Sequence, residues 1–431
     1  MYFLRHLRYK LAGMDIVKVF SFNALSTLFR MLAGMVSVKV VASIIGPAGI
    51  ALLGQLNNFN TILLGLANGG ISSGVTKYVA EYRDDESAIR KYLSNALRIT
   101  LTCSLFVSVC LILCSRQLSH LILRSGEYGY VFVFFGFTIC LYTLNGLLIS
   151  VVNGYKQFKK YVAINISGTI IGLLYSVTLV FFFGLSGALV NAVTFQSIVF
   201  FITLWMCRKM PWMKKEYFQD AFDRLVAKRY LGYSLMTIVS LSLLPVSQML
   251  LRGYVISELS ISEAGIWEGM NRISSMYLSV ITTAFTVYYL PRLSEISDSV
   301  ELHREIFKCY KVIVPMLLCV GIAIYLLRYV ILWLLFTPSF YSMSELFGWQ
   351  LAGDFFKICS WLLSFVMVAK ARTKMFIFTE IAFTLSYVAF CFLFLRINGV
   401  VGLTQGYLCN YILYMAVMAI IFRSIIFVKK S

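Results

Sequence analysis

Apolar runs of about 20 residues, each long enough as a helix to cross some 30 Å of hydrocarbon, recur from near residue 19 to residue 422. Charged residues, Gly, Pro and Asn punctuate them. Cutting at those breaks predicts helices near 19–45, 49–77, 89–114, 129–152, 161–183, 187–207, 231–251, 265–290, 309–335, 346–369, 375–396 and 400–422. The turn chemistry agrees, since Gly46-Pro47, Ser125-Gly126, Asn153-Gly154, Gly184, Pro338 and Asn398-Gly399 all fall at cuts. The pattern is that of an all-α integral membrane protein with twelve transmembrane helices.

Composition excludes a soluble globule. Hydrophobic residues make up 60% and charged residues 13% of the 431, against about 45–50% and 25% in soluble domains. Basic residues then orient the chain, because cytoplasmic loops are enriched in Lys and Arg. With both termini cytoplasmic, the inside segments hold 28 of the 38 Lys and Arg, and the outside segments hold Arg116, Arg124, Arg252, Arg328 and Arg396. The net charge of +19 is thereby spread over short loops facing an anionic leaflet, which argues against a nucleic-acid partner and for membrane lipids. Ten cysteines without a CxxC pair, and three histidines scattered in loops, point to no disulfide framework, metal or cofactor.

The chain repeats at half its length. Ala48-Gly49-Ile50 returns as Ala264-Gly265-Ile266, the basic turn ending at Lys160 as the one ending at Lys374, and Gly184-x-x-Gly187 as Gly399-x-x-Gly402, at offsets of 214 to 216. Six spans per half is an even number, so the repeat is parallel. The predicted organisation is an N-terminal six-helix lobe (1–207), a cytoplasmic linker (208–230) and a C-terminal six-helix lobe (231–431). Phe218, Ala221, Phe222 and Leu225 in the linker are spaced i, i+3, i+4 and i+7, with Asp220 and Arg224 at i, i+4, which predicts a short interfacial helix.

Five bases remain inside predicted spans: Arg30, Lys39, Arg98, Arg272 and Lys357. Each costs roughly 2.5–3.5 kcal/mol at the bilayer centre, so each needs water, an acid or an anion. Acids are near in the second half only, with Glu268 at i−4 from Arg272, Asp354 at i−3 from Lys357, and Glu380 alone near the cytoplasmic end of its span. Two readings stand for the paired bases and Lys39: structural bridges and snorkelling, or a cavity that grips a charged cargo. The second span adds Gln55, Asn57, Asn58 and Asn60, then Asn68-Gly69-Gly70-Ile71-Ser72-Ser73-Gly74, a poor face for lipid and a suitable one for water.

Gly46-Pro47-Ala48-Gly49, Gly74-Val75-Thr76-Lys77-Tyr78-Val79-Ala80, Gly265-Ile266-Trp267-Glu268-Gly269, Val287-Tyr288-Tyr289-Leu290-Pro291, Trp349-Gln350-Leu351 with Gly353-Asp354, and Ala369-Lys370-Ala371 resemble the Wzx-type polysaccharide flippases. That family sits in the multidrug, oligosaccharidyl-lipid and polysaccharide exporter superfamily. The resemblance spans almost the whole chain and implies V-shaped lobes, alternating access and a place in the bacterial inner membrane. It implies as cargo an undecaprenyl-diphosphate-linked oligosaccharide, either an O-antigen unit or the enterobacterial common antigen lipid, and as partners a polysaccharide polymerase and a chain-length regulator. Arg30 and Lys39 match basic positions of the family's first helix, and Asp354 and Lys357 match an acid and a base of the tenth. The cluster Asn57, Asn58 and Asn60 stands where the family carries a basic residue in the second.

A diphosphate fits these residues on physical grounds, since guanidinium groups bind phosphate bidentately. With the cytoplasm negative, outward movement of an anion is favoured by about 2.3 kcal/mol per charge per 100 mV. The expected binding set is Arg30, Lys39, Arg98, Arg272, Lys357, Asn57 and Asn58, with Asp354, Glu268 and Glu380 as coupling acids. A multidrug or ion exporter of the same superfamily is the alternative. A membrane-embedded polysaccharide-processing enzyme is disfavoured by the absence of a sizeable outer loop that could carry catalytic groups.

Overall fold

The computed structural model describes the backbone of residues 2–423 except 297 and 371, and side chains from Thr27 onward except at 233, 235, 236, 287, 299 and 373. Its helices are α1 (Tyr2–Ala67), α2 (Ser72–Tyr82), α3 (Glu86–Leu113), α4 (Ser115–Leu123), α5 (Gly129–Gly154), α6 (Phe158–Cys207), α7 (Arg224–Glu258), α8 (Ile261–Ala284), α9 (Leu290–Glu295), α10 (Ser299–Leu326), α11 (Arg328–Leu335), α12 (Leu346–Ala369) and α13 (Thr373–Ile421), with a π-helical turn at Phe285–Tyr289 between α8 and α9. Among the described residues, eight helical segments are long and apolar enough to cross a membrane. The fold is that of an all-helical membrane protein.

Helix α6 has 50 residues and α13 has 49, which as straight rods would be about 75 Å long, more than twice the hydrocarbon thickness. Both are bent. Gly184 (φ 55°, ψ −129°) breaks α6, and Gly399 (φ 58°, ψ −143°) breaks α13 just after Asn398. This left-handed conformation strongly favours glycine. Past each bend the chain folds back antiparallel: in α6 the Tyr175 and Thr194 hydroxyls are 3.0 Å apart, and in α13 the Cys391 thiol donates to the Leu403 carbonyl at 3.4 Å and Tyr387 meets Tyr407 edge-on at 5.9 Å. The repeated glycine three residues on explains the tightness. A Cβ at Gly187 would lie inside contact distance of the Leu179 carbonyl oxygen, and one at Gly402 inside that of the Phe394 carbonyl oxygen, in both cases eight residues upstream. The two halves thus reuse one hairpin. Gly187→Ala and Gly402→Ala are each expected to lower yield and melting temperature sharply, because backbone rather than a flexible side chain must yield; unchanged thermal melts of both variants in detergent would contradict this packing.

Contacts divide the chain into two compact units, one of Met1–Ile44 and Leu52–Val246, the other of Ile45–Ala51 and Ser247–Ser431. In the first, one core cluster is rich in tyrosine: Tyr92 stacks on Tyr78 at 4.7 Å and on Tyr82 at 5.0 Å, and Tyr230 meets Tyr92 edge-on. Asp85 starts α3 by accepting the Ala88 and Ser87 N–H groups, bonds that hold its carboxyl below the usual range.

The segment after α6 is not the amphipathic helix that its spacing predicts. It forms short 3₁₀ turns at Pro211–Met213 and Lys215–Phe218, then an irregular stretch to α7. The pattern covers eight residues, too few to hold a helix without tertiary support, and tertiary bonds favour the irregular path. Ser94 Oγ accepts the Asp220 N–H at 3.0 Å, Asn95 Oδ1 accepts the Asp223 N–H at 3.1 Å, and Asp223 Oδ1 accepts the Leu225 and Val226 N–H groups at the start of α7. Trp212 is buried against Tyr155. The segment is therefore docked on the first unit.

In the second unit α12 is central, packing on α13, α10, α8 and α9. Its carbonyls accept hydroxyls from neighbours: Tyr289 donates to Leu362 O at 3.0 Å and Tyr310 to Cys359 O at 2.6 Å.

Candidate functional site

Helices α8, α12 and α13 place the ionisable groups of the second unit. On α12, Gln350, Asp354 and Lys357 lie within two turns. Asp354 is 2% exposed, and hydrogen bonds surround its carboxylate. Oδ2 accepts the Ser274 hydroxyl at 2.7 Å and the Tyr277 hydroxyl, both from α8. Oδ1 accepts the Tyr407 hydroxyl of α13 at 2.7 Å and the Gln350 amide at 3.4 Å. Four neutral donors thus serve the acceptor sites of one carboxylate.

The structural bridge that is one of the two readings of the i, i+3 spacing of Asp354 and Lys357 does not form among the described residues. With the carboxylate already satisfied, the Lys357 stem turns toward α13 and leaves its ammonium among three aromatic rings: 5.0 Å from the Trp361 centroid, 5.3 Å from Tyr411 and 5.5 Å from Tyr407. The ring faces carry the negative end of the aromatic quadrupole, so they hold a cation where lipid would not. Tyr407 serves both groups, giving its hydroxyl to Asp354 and its ring to Lys357. Glu380, near the start of α13, lies within electrostatic range of the same ammonium.

A second cluster lies on α7 and α8. Glu268 pairs with Arg272 at 3.2 Å, as the i, i+4 spacing predicts. It also pairs with Arg252, which is 0% exposed and lies over the Trp267 ring at 5.7 Å. Sequence reasoning places Arg252 in an outer loop. The structure corrects this, because α7 runs on to Glu258, and pairing with Glu268 removes the need for the charge to reach water. The available signal was the apolar stretch Tyr254-Val255-Ile256 continuing beyond the arginine.

The remaining candidates lie in the first unit. Arg30 is exposed and donates to Thr27 Oγ1 at 3.3 Å, and Arg98 is exposed on α3; neither makes an ion pair among the described residues. Lys39 and Asn58 are half-buried, and Asn57 is exposed. Asn60, also in the amide run, is buried and donates to Ala192 O at 3.2 Å. The ten candidates therefore fall five to each unit: Arg30, Lys39, Asn57, Asn58 and Arg98 in the first, and Glu268, Arg272, Asp354, Lys357 and Glu380 in the second, where Glu268 and Asp354 are buried and held by their neighbours.

A family model described as polysaccharide biosynthesis protein matches residues 16–297. The chain belongs to that family. It is 29% identical over 410 residues to the lipid III flippase of Escherichia coli (strain K12) and equally to that of Shigella flexneri, covering 95% of this chain and 98% of each relative. Among solved structures, an inward-facing multidrug resistance MATE family transporter of the MOP superfamily matches with a TM-score of 0.74 at 15% identity, covering 94% of this chain and 100% of that one. A MOP superfamily transporter from Pyrococcus furiosus matches at 0.68 and 14%, covering 95% of this chain and 96% of that one. The family member described here thus has the MOP-type fold.

Proposed function

We propose that this protein is a flippase that moves an undecaprenyl-diphosphate-linked oligosaccharide from the cytoplasmic to the periplasmic leaflet of a bacterial inner membrane by alternating access. The observation that carries the reading is end-to-end similarity to lipid III flippases in a chain in which Arg30 and Arg98, on helices of membrane-spanning length, have no acid partner among the described residues. Guanidinium groups left without carboxylates are available to a diphosphate. Splitting the three bent helices α1, α6 and α13 and adding the α8–α9 segment to the other membrane-length helices supports twelve spans, and the basic loops support cytoplasmic termini. The cargo is an O-antigen unit or a lipid III-like molecule.

In this reading Arg30 and Arg98 bind the diphosphate with help from Lys39 and Arg272, while Asp354, Glu268 and Glu380 are candidates for coupling transport to an ion gradient. Lys357, held by its aromatic cage, sets the field around Asp354. The fold also serves multidrug transporters, but exposed arginines oppose a cationic drug. Arg30→Ala combined with Arg98→Ala is expected to reduce flipping of undecaprenyl-diphosphate-linked sugar in proteoliposomes at least tenfold, each lost contact to a charged group contributing about 1.5–3 kcal/mol. Wild-type rates in the double variant would remove the assignment.

A further inference from the structure

The first unit contains a cavity of about 540 Å³ whose wall, among the described residues, carries no charged side chain. That size falls within the roughly 300–1,000 Å³ range of small-ligand pockets. The polar groups are hydroxyls and amides, notably Thr61 of α1, Asn68 in the turn after it, Asn145 of α5 and Gln196 of α6, set among apolar Leu64 and Ile149. Asn145 is 1% exposed and donates Nδ2–H to Gln196 Oε1 at 2.7 Å. Its own Oδ1 is buried and receives no hydrogen bond among the described residues. Leaving a buried acceptor open carries a cost, and here the open acceptor belongs to a residue that lines a cavity. The wall is also bare at Gly146, where an added Cβ would meet nothing within 4 Å.

We propose that this cavity receives an uncharged sugar ring of the cargo, whose hydroxyls and acetamido group hydrogen-bond to the amides and hydroxyls of the wall, Asn145 among them. The proposal rests on the lipid-linked saccharide reading above and separates two tasks within it, diphosphate binding by arginines and sugar binding by neutral amides. The chemistry matches on both sides: a pyranose presents a rim of hydroxyls that both donate and accept, around a C–H face that packs on aliphatic side chains. Neither a phosphate nor a cationic drug suits a wall without charge.

The test compares two probes on the full-length protein in nanodiscs: undecaprenyl diphosphate and undecaprenyl-diphosphate-linked N-acetylglucosamine. The wild type is expected to bind the sugar-bearing lipid more tightly. Asn145→Leu, which removes an amide from the wall at similar volume, and Gly146→Leu, which places a side chain where an added Cβ meets nothing within 4 Å, are each expected to reduce that preference about tenfold and leave the affinity for bare undecaprenyl diphosphate unchanged. Preference retained in both variants, or a parallel fall for both probes, would overturn the proposal. Equal binding of the two lipids by the wild type would overturn the sugar assignment and leave the flippase reading intact, whereas binding of neither would overturn the flippase reading as well.

Discussion

Asp354→Leu is expected to prevent the protein from accumulating in the membrane, whereas Asp354→Asn is expected to fold and yet lose gradient-driven transport. The leucine removes the acceptor for the Ser274, Tyr277 and Tyr407 hydroxyls and the Gln350 amide at once. Buried donors left unsatisfied cost about 1–3 kcal/mol each, so the total rivals the roughly 5–15 kcal/mol stability of a typical native protein. The asparagine keeps the shape, and the three hydroxyls can rotate to accept as well as donate. What it lacks is the charge. Comparing yield and melting temperature with transport under an imposed ion gradient therefore separates the structural role of Asp354 from the proposed coupling role. Normal coupled transport by Asp354→Asn would eliminate the latter.

The next largest effect is expected at Arg252. Arg252→Met removes a fully buried guanidinium and leaves Glu268 with Arg272 alone, and breaking a buried pair from one side typically costs about 3–5 kcal/mol. The retained Arg272 contact at 3.2 Å places the expected loss toward the lower figure. Adding both Glu268→Gln and Arg272→Met should recover much of it, since no charge of the trio is then left unpaired. Thermal unfolding of the single and triple variants in detergent measures this directly, and a triple variant no more stable than the single one would show that the remaining charges are not the liability.

The parts of the fold readable from the chain are those governed by local chemistry. Gly184 and Asn398-Gly399 mark the hairpin bends because few residues besides glycine reach a left-handed backbone at low cost, and the i, i+4 spacing of Glu268 and Arg272 survives intact in the helix. The parts that were not readable depend on neighbours distant in sequence. Arg252 and Glu268 are 16 residues apart and meet only because α7 and α8 fold side by side. The environment of Asp354 comes from hydroxyls 53 to 80 residues away, and serines and tyrosines on apolar helices give no warning of such a convergence. Phe218, Ala221, Phe222 and Leu225 mislead for the complementary reason, since two side chains of α3 divert the backbone that the spacing would have coiled.

The bends in α6 and α13 bear on biogenesis. Only one or two non-helical residues separate the arms of each, so no hydrophilic stretch is available to wait in water while the second arm is synthesised. Both arms of each pair are therefore expected to enter the bilayer together. Lengthening either junction with a polar insert would let the arms enter singly and would expose their glycine-lined seams to lipid.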